Sequence, residues 1–249
     1  FLESGKTKFI SEMLADDGFS EGERTLLLCC EEGEEEYDSK LLHRTNTVLE
    51  PLDEPEDLEK LVELDEKYRP ERVIIEYNST WLLQALYSAK KPESWDLAQI
   101  ITLVDSTTFE IYLKNMRSFM ADGLTEADLV IFNRCTEETT KSPYRRTVLA
   151  MNNTARIFFE NTDGSMDDGV SDEDLPYDVS AKIIEISDTQ FGVFYLDAME
   201  HPDRYDGKTI HVKGRAFRMN GMPKGCFVFG RHAMTCCVDD IGGIGYLCK

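Results

Sequence analysis

Basic residues are scarce in this 249-residue sequence. Lys and Arg together number 27 against 48 Asp and Glu, which gives a formal net charge of −21 at pH 7. A chain with this charge repels the phosphates of nucleic acids and the headgroups of anionic membranes. We therefore expect no nucleic acid among its partners.

Long hydrophobic runs are absent as well. The longest apolar runs, residues 26–30 and 100–104, are far shorter than the roughly 20 residues of a membrane-spanning helix. Apolar residues nevertheless make up 41% of the chain and aromatic residues 10%, enough to build a hydrophobic core. The sequence predicts a soluble protein with no direct membrane insertion.

The cysteines do not form the even, regularly spaced set of a disulfide framework. There are seven, and four of them form the vicinal pairs Cys29-Cys30 and Cys236-Cys237. The chain also lacks a signal-peptide pattern, because its first turn carries the charged residues Glu3 and Lys6. Both observations favour a reducing, cytoplasmic compartment.

The charge is distributed unevenly along the chain. Residues 177–249 contain nine basic and nine acidic side chains, so the whole net charge belongs to residues 1–176. Residues 161–176 are acidic and rich in Gly and Ser, a composition that buries too little apolar area to fold by itself. We predict a first domain over 1–160, a linker over 161–176 and a small second domain over 177–249.

The hydrophobic patterns differ between the two predicted domains. In the first, short apolar runs alternate with helical patterns, which predicts an α/β fold with a parallel sheet and helices on both faces. In the second, β-type runs are separated by turn residues, which predicts a mostly-β domain, OB-like or a barrel. Those runs are residues 181–186, 190–196, 209–217, 226–230 and 234–238.

A phosphate-binding motif opens the chain. The Walker A pattern is G-x-x-x-x-G-K-[ST], and its last residues are present as Gly5-Lys6-Thr7, preceded by Glu3 and Ser4. In such a loop, backbone N–H groups surround phosphate oxygens, the lysine pairs with the β- and γ-phosphates and the hydroxyl binds Mg²⁺. The pattern predicts a nucleotide site over residues 3–7, with its first glycine just upstream of this sequence.

Two later strand patterns end in polar residues that suit the same site. Residues 72–76 form an apolar run ending in Glu76, the Walker B arrangement that completes a Mg²⁺ shell. Residues 129–133 end in Asn133, followed by Arg134, at the position that reads the base in guanine-nucleotide proteins. The order of the three motifs is more specific than any one of them.

With these motifs, residues 1–160 resemble the CobW/HypB/UreG group of P-loop GTPases, closest to the CobW type. The loop resembles the family's G-F-L-G-[SA]-G-K-T, and Glu31, Gly33, Glu34 and Asp38 match its N-E-F-G-E and following Asp. The resemblance implies a P-loop fold, binding and hydrolysis of GTP with Mg²⁺, and a role in metal handling or partner maturation. It also implies that Glu31 or Asp38 positions the attacking water.

Besides Glu3, which replaces a glycine of the loop, three departures from the family pattern bear on function. Residues 39–70 contain no cysteine, so the family's C-x-C-C metal motif is not in its usual place; Ser79 replaces the switch glycine, and Thr136 replaces the aspartate of N-K-x-D. The nucleotide is therefore GTP or ATP. The protein is either a GTPase, with hydrolysis that Ser79 slows, or a nucleotide-gated binding module that does not hydrolyse.

The C-terminal region resembles the C-terminal domain of uncharacterised bacterial permease-subunit proteins. The match lies in Y-x-G-K-x-I-x-V-x-G, then F-x-x-x-R and C-C-x-x-D, and it implies a metalloprotein or a permease component as partner. His232, Cys236, Cys237 and Asp239 offer ligands for Zn²⁺. Because neighbouring residues of a strand point to opposite faces, the alternative is one core cysteine and one partner-facing cysteine.

Overall fold

The structure is a computed structural model that describes residues 1, 3–19, 22–31, 33, 36–218, 222–234 and 241–249. The chain divides into two compact units, Phe1–Val170 and Ser171–Lys249. Among the described residues we find no helix with the length and apolarity of a membrane span.

Helices and short strands alternate along the first unit. Its elements are α1 (Lys6–Ala15), β1 (Thr25–Cys29), α2 (Ser39–Arg44), β2 (Thr47–Pro51), α3 (Leu61–Tyr68), β3 (Arg72–Glu76), α4 (Leu83–Ser88), β4 (Ile101–Asp105), α5 (Phe109–Asn115), α6 (Arg117–Thr125), β5 (Leu129–Cys135), α7 (Lys141–Met151), β6 (Arg156–Asn161) and β7 (Met166–Asp167). A 3₁₀ helix over Pro55–Lys60 leads into α3. The predicted α/β class is confirmed.

The strands of the first unit form two sheets. One has the order β2-β1-β3 and is entirely parallel; the other has the order β4-β5-β6-β7, in which only β7 is antiparallel. Their registers align Cys29 with Glu76 and Asp105 with Asn133. Because parallel strands end at the same edge, these polar residues stand side by side at the carboxyl ends.

Strand β1 has helices packed on both of its faces. Leu26 and Leu28 contact the cluster that contains Leu61 and Leu64 of the α3 helix, whereas Leu27 lies in the cluster formed with α1. All three leucines of β1 are fully buried. This two-sided burial explains why the strand reads as a continuous apolar run rather than an alternating one.

Aromatic rings fill the core around β4, β5 and β6. Phe132 lies at its centre, with ring centroids 4.9 Å from Phe109, 4.9 Å from Phe159 and 5.5 Å from Tyr144. Phe109, Phe132 and Phe159 are almost completely buried. Edge-to-face and stacked pairs of this kind stabilise a core beyond the area that they bury.

The start of the predicted linker belongs to the first unit. After a turn at Gly164, which has a φ of 84°, strand β7 pairs with β6. Lys141 Nζ donates to Asn161 Oδ1 at 2.7 Å and to Asp167 Oδ2 at 2.5 Å. Polar contacts therefore order a segment whose composition offers little apolar area.

The second unit is rich in strands, as predicted, and contains one longer helix. Its elements are β8 (Ile183–Ile186), α8 (Phe191–Glu200), β9 (Thr209–Val212), β10 (Arg215–Phe217), β11 (Phe227–Met234) and β12 (Ile241–Cys248). Strands β8 and β9 form a parallel pair, and β10-β11-β12 form an antiparallel sheet. The described strands of this unit make two open sheets.

The prediction of a strand over residues 190–196 is wrong, because this segment begins helix α8. Phe191 and Phe194 are both buried, at the i, i+3 spacing of one helix face. Aromatic residues suit strands and buried helices equally well, so a short run of them does not distinguish the two. The predicted strand over 209–217 is in fact two strands, which Gly214 separates.

We expect the Phe132→Ala substitution to destabilise the first unit by about 3–5 kcal/mol, because it leaves a cavity among three aromatic rings. Both tryptophans, Trp81 and Trp95, lie in this unit, so tryptophan fluorescence during urea unfolding reports its stability. The control is Ile111→Ala, at a position that is 62% exposed. Equal unfolding midpoints for the two variants would contradict this packing.

Candidate functional site

The loop before α1 forms a tight turn at the amino end of that helix. Glu3 and Gly5 have left-handed φ values of 52° and 74°. Ser4 is fully buried, and its hydroxyl donates to the carbonyl oxygen of Phe1 at 2.7 Å. No described side chain caps α1 and its first turn carries no acidic residue, so the helix end can receive an anion.

Lys6 folds back over this loop. Its Nζ donates to the Phe1 carbonyl oxygen at 2.8 Å and pairs with Glu31 Oε2 at 2.6 Å. Both side chains of the ion pair are mostly buried. The structure therefore brings Lys6 and Glu31 together, and the lysine that the motif assigns to phosphates has a carboxylate as its present partner.

Glu76, at the end of β3, is the centre of the polar contacts beside this loop. Its carboxylate accepts hydrogen bonds from Thr7 Oγ1 at 2.8 Å and from Tyr37 Oη at 2.5 Å, and the Cys29 thiol lies 3.6 Å away. Glu76 is only 4% exposed. We call Thr7, Cys29, Tyr37 and Glu76 the Glu76 cluster.

The Glu76 cluster shifts the pKa values of two of its members. Burial, followed by the charge of Glu76, raises the pKa of the Cys29 thiol to about 11. Burial and donation to Glu76 also raise the pKa of the Tyr37 hydroxyl far above its ordinary value. Both groups are therefore protonated at neutral pH. The Tyr37 hydroxyl donates to the carboxylate, whereas the Cys29 thiol lies closer to the Glu31 carbonyl oxygen, at 3.2 Å, than to Glu76.

The residues at this edge fit Mg²⁺. Thr7 and Glu76 present a hydroxyl and a carboxylate oxygen within 2.8 Å of each other, and hard oxygen ligands are those that Mg²⁺ prefers. Within the described part of the chain, no lysine or arginine pairs with the buried Glu76 carboxylate. A buried carboxylate without a cationic partner is a favourable place for a cation.

The end of β5 contacts the loop from the other side. Asn133 Nδ2 donates to the Ser4 carbonyl oxygen at 2.6 Å, and its buried Oδ1 has no partner among the described residues. Arg134, with a φ of 55°, pairs with Asp105 instead. Although burial opposes ionisation of Asp105, hydrogen bonds from Thr107 and Arg134 hold the pKa of that carboxyl below its ordinary value.

Two further predicted residues that the structure describes, Asp38 and His232, make no contact with this site. Asp38 is exposed and caps helix α2, because its Oδ1 accepts from the Lys40 N–H at 2.9 Å. Glu34, Cys236, Cys237 and Asp239 lie outside the described residues. His232 is exposed on β11.

Sequence reasoning missed two members of the Glu76 cluster. Cys29 reads as a core residue because it ends an apolar strand, and nothing in the hydrophobic pattern marks Tyr37. The only available signal is position, since Cys29 aligns with Glu76 across the sheet and Tyr37 directly precedes Asp38.

Comparison with known families decides the assignment of the first unit. The family model of the CobW/HypB/UreG nucleotide-binding domain matches residues 1–159. The chain belongs to the CobW/HypB/UreG family. A second family model, the DUF1980 C-terminal domain, matches residues 163–249. No curated protein sequence matches this CobW/HypB/UreG-family chain.

Two solved structures resemble this family member. The hydrogenase maturation factor HypB from Archaeoglobus fulgidus is 16% identical with a TM-score of 0.43, covering 64% of this chain and 77% of its own. A zinc-bound triple mutant of the YjiA GTPase is 20% identical with a TM-score of 0.46, covering 67% of this chain and 57% of its own. The assignment rests on the family model, since both TM-scores lie below 0.5.

We expect Cys29 to react slowly with iodoacetamide in the folded protein. Since its pKa is about 11 rather than 9.0, its thiolate fraction near neutral pH is about 100-fold below that of an unperturbed thiol. The measurement is the alkylation rate by peptide mass mapping, with the urea-unfolded chain as reference. A Cys29 rate that matches the unfolded chain would contradict this environment.

Proposed function

We propose that this CobW/HypB/UreG-family protein is a Mg²⁺-dependent nucleoside triphosphatase that prefers GTP and serves metal handling or maturation of a partner protein in the cytoplasm. The observation that carries the proposal is the Thr7–Glu76 contact of 2.8 Å at the amino end of α1, beside Lys6. At this place the amino end of α1 and Lys6 can bind an anion, and the oxygen atoms of Thr7 and Glu76 can bind a cation.

The residues of the site have different roles in the proposed phosphoryl transfer. Phosphoryl transfer depends mostly on positioning and on stabilising charge, so no covalent nucleophile is required. Loop amides over residues 3–7 and Lys6 would bind the phosphates, and Thr7 and Glu76 would hold Mg²⁺. The ion, when bound, supplies positive charge to the phosphate oxygens.

Binding of a triphosphate has a consequence for Glu31. Lys6 must turn from Glu31 to the phosphates, which frees a carboxylate next to them. Glu31 is therefore the better candidate for positioning the attacking water. Asp38 would first have to give up its hydrogen bond at the start of α2. Both roles belong to the proposal.

In this proposal the residues at the end of β5 recognise the nucleotide base. Asn133 offers a buried acceptor, Oδ1, next to the loop, and Arg134 follows it. Thr136 has no carboxylate for the guanine N1–H and exocyclic amine, so ATP is the competing nucleotide. Titrations with GTP, ATP and GDP decide between them.

A nucleotide-gated binding module that does not hydrolyse is the second candidate. The observation that favours it is the engagement of Lys6 by Glu31, together with Ser79 at the switch-glycine position. In this case the second unit would transmit the nucleotide state to a metalloprotein or a permease component. A single-turnover rate equal to that of free nucleotide, despite tight binding, would reject the triphosphatase.

The Lys6→Gln variant tests the proposed phosphate site. A hydrogen bond to a charged group contributes about 1.5–3 kcal/mol, so we expect GTP affinity to fall by roughly 10–100-fold. The matched control is Lys8→Gln, because Lys8 lies on the same helix and its ammonium group pairs with Glu12 at an exposed position. Calorimetry on the full-length protein with MgCl₂ measures both, and an equal loss in the two variants would reject the site.

A zinc site at Cys236 and Cys237 is a separate part of the proposal. It is supported by the ligand chemistry of two thiolates next to His232 in the sequence. We expect the double variant Cys236→Ser/Cys237→Ser to lose bound zinc, measured by elemental analysis of the purified protein. Unchanged zinc content would remove this site and leave the nucleotide proposal intact.

A further inference from the structure

Tyr37 holds the Glu76 carboxylate from a position that no sequence motif explains. Its Oη lies 2.5 Å from Glu76 Oε2, while Thr7 donates to the other oxygen, Oε1. The Cys29 thiol also approaches Oε2, at 3.6 Å. Oε2 thus accepts from the neutral Tyr37 hydroxyl, whereas Oε1 accepts from Thr7, the second oxygen ligand of the proposed cation site.

These donors offset the cost of keeping a charge buried. A buried carboxylate needs hydrogen bonds or a cation, and each donor that is lost raises its attraction for positive charge. Glu76 is 4% exposed, and its partners in the described chain are all neutral. The donors and a cation therefore compete for the charge of the same carboxylate.

We propose that the Tyr37 hydroxyl is a neutral substitute for the cation: it satisfies Glu76 in the metal-free protein and thereby weakens divalent-cation binding at Thr7 and Glu76. This inference rests on the proposed function in one respect, because it takes Thr7 and Glu76 to be the cation site. Tyr37 is a positioning residue here, since it acts through Glu76.

The place of Tyr37 in the chain gives this contact a second consequence. Residues 30–38 connect the end of β1 to the start of α2, and this connection carries both Glu31 and Tyr37. Glu31 pairs with Lys6, and Tyr37 bonds to Glu76. The same connection therefore contacts Lys6, which we propose to bind phosphates, and Glu76, which we propose to bind the cation. A cation bound at Glu76 would weaken the second of these two contacts.

The Tyr37→Phe variant isolates the hydroxyl. The Tyr37 ring packs against the cluster of Ile10, Leu14 and Leu27, and phenylalanine keeps that packing. The matched control is Tyr87→Phe, which removes a tyrosine–glutamate hydrogen bond of 3.2 Å to Glu126 at an exposed position. The two variants make the same chemical change, inside and outside the site.

The experiment is thermal unfolding of the full chain against MgCl₂ concentration, without nucleotide. We expect Tyr37→Phe to unfold at a lower temperature without Mg²⁺ and to show the same rise in unfolding temperature at about tenfold lower Mg²⁺ concentration than the wild type, the fold-change expected for one hydrogen bond to a charged group. Tyr87→Phe should follow the wild type.

The outcomes separate the inference from the proposed function. If Thr7→Ala abolishes the Mg²⁺ stabilisation of the wild type but Tyr37→Phe responds at the wild-type concentration or higher, the role of Tyr37 is overturned and the cation site stands. If the wild type does not respond to Mg²⁺, the cation site and the inference both fall.

An ultraviolet difference spectrum provides a readout on the wild-type protein. Mg²⁺ should perturb tyrosine absorbance as Tyr37 loses its bond to Glu76, and the Tyr87→Phe variant should retain that signal. A Mg²⁺-stabilised wild type without any tyrosine difference signal would count against the exchange, even if Tyr37→Phe failed to fold.

Discussion

The hydrogen bond from Thr7 to Glu76 is the contact on which the site depends. It joins the first turn of α1 to the end of β3, two elements that also share an apolar cluster through Ile10, Leu14 and Ile74. A second bond, from Asn133 to the Ser4 carbonyl, attaches the same loop to β5. The loop is therefore fixed from both sheets, and the helix end, the lysine and the carboxylate keep a common position.

Charge organises this site more than shape does. The chain carries a net charge of −21, yet its nucleotide-binding unit must accept a polyanion. Lys6 is neutralised by Glu31, and Glu76 is held by neutral donors. The charged groups of the site thus satisfy one another, and under the proposed function a nucleotide with its cation would have to replace those internal contacts one by one.

The sequence was sufficient to predict the features that come from strand periodicity and strand ends. Glu76 and Asn133 end apolar runs, so their places at the carboxyl edge follow from the parallel α/β pattern. Helix α8 was not predictable in this way, because a short and nearly continuous apolar run, such as residues 190–196, is typical of a buried strand as well as of a buried helix. The hydrogen bond from Tyr37 to Glu76 is a contact across the fold, which neither propensity nor period encodes.

The contacts of Lys141 also determine where the two units can be separated. Asp167, one of its two partners, lies beyond the point at which the composition changes, and β7 pairs with β6 there. Cutting the gene after residue 160 would leave an ammonium group without its counter-ion and β6 without its antiparallel neighbour. A dissection of this protein into its parts is better placed after Val170, where the first compact unit ends.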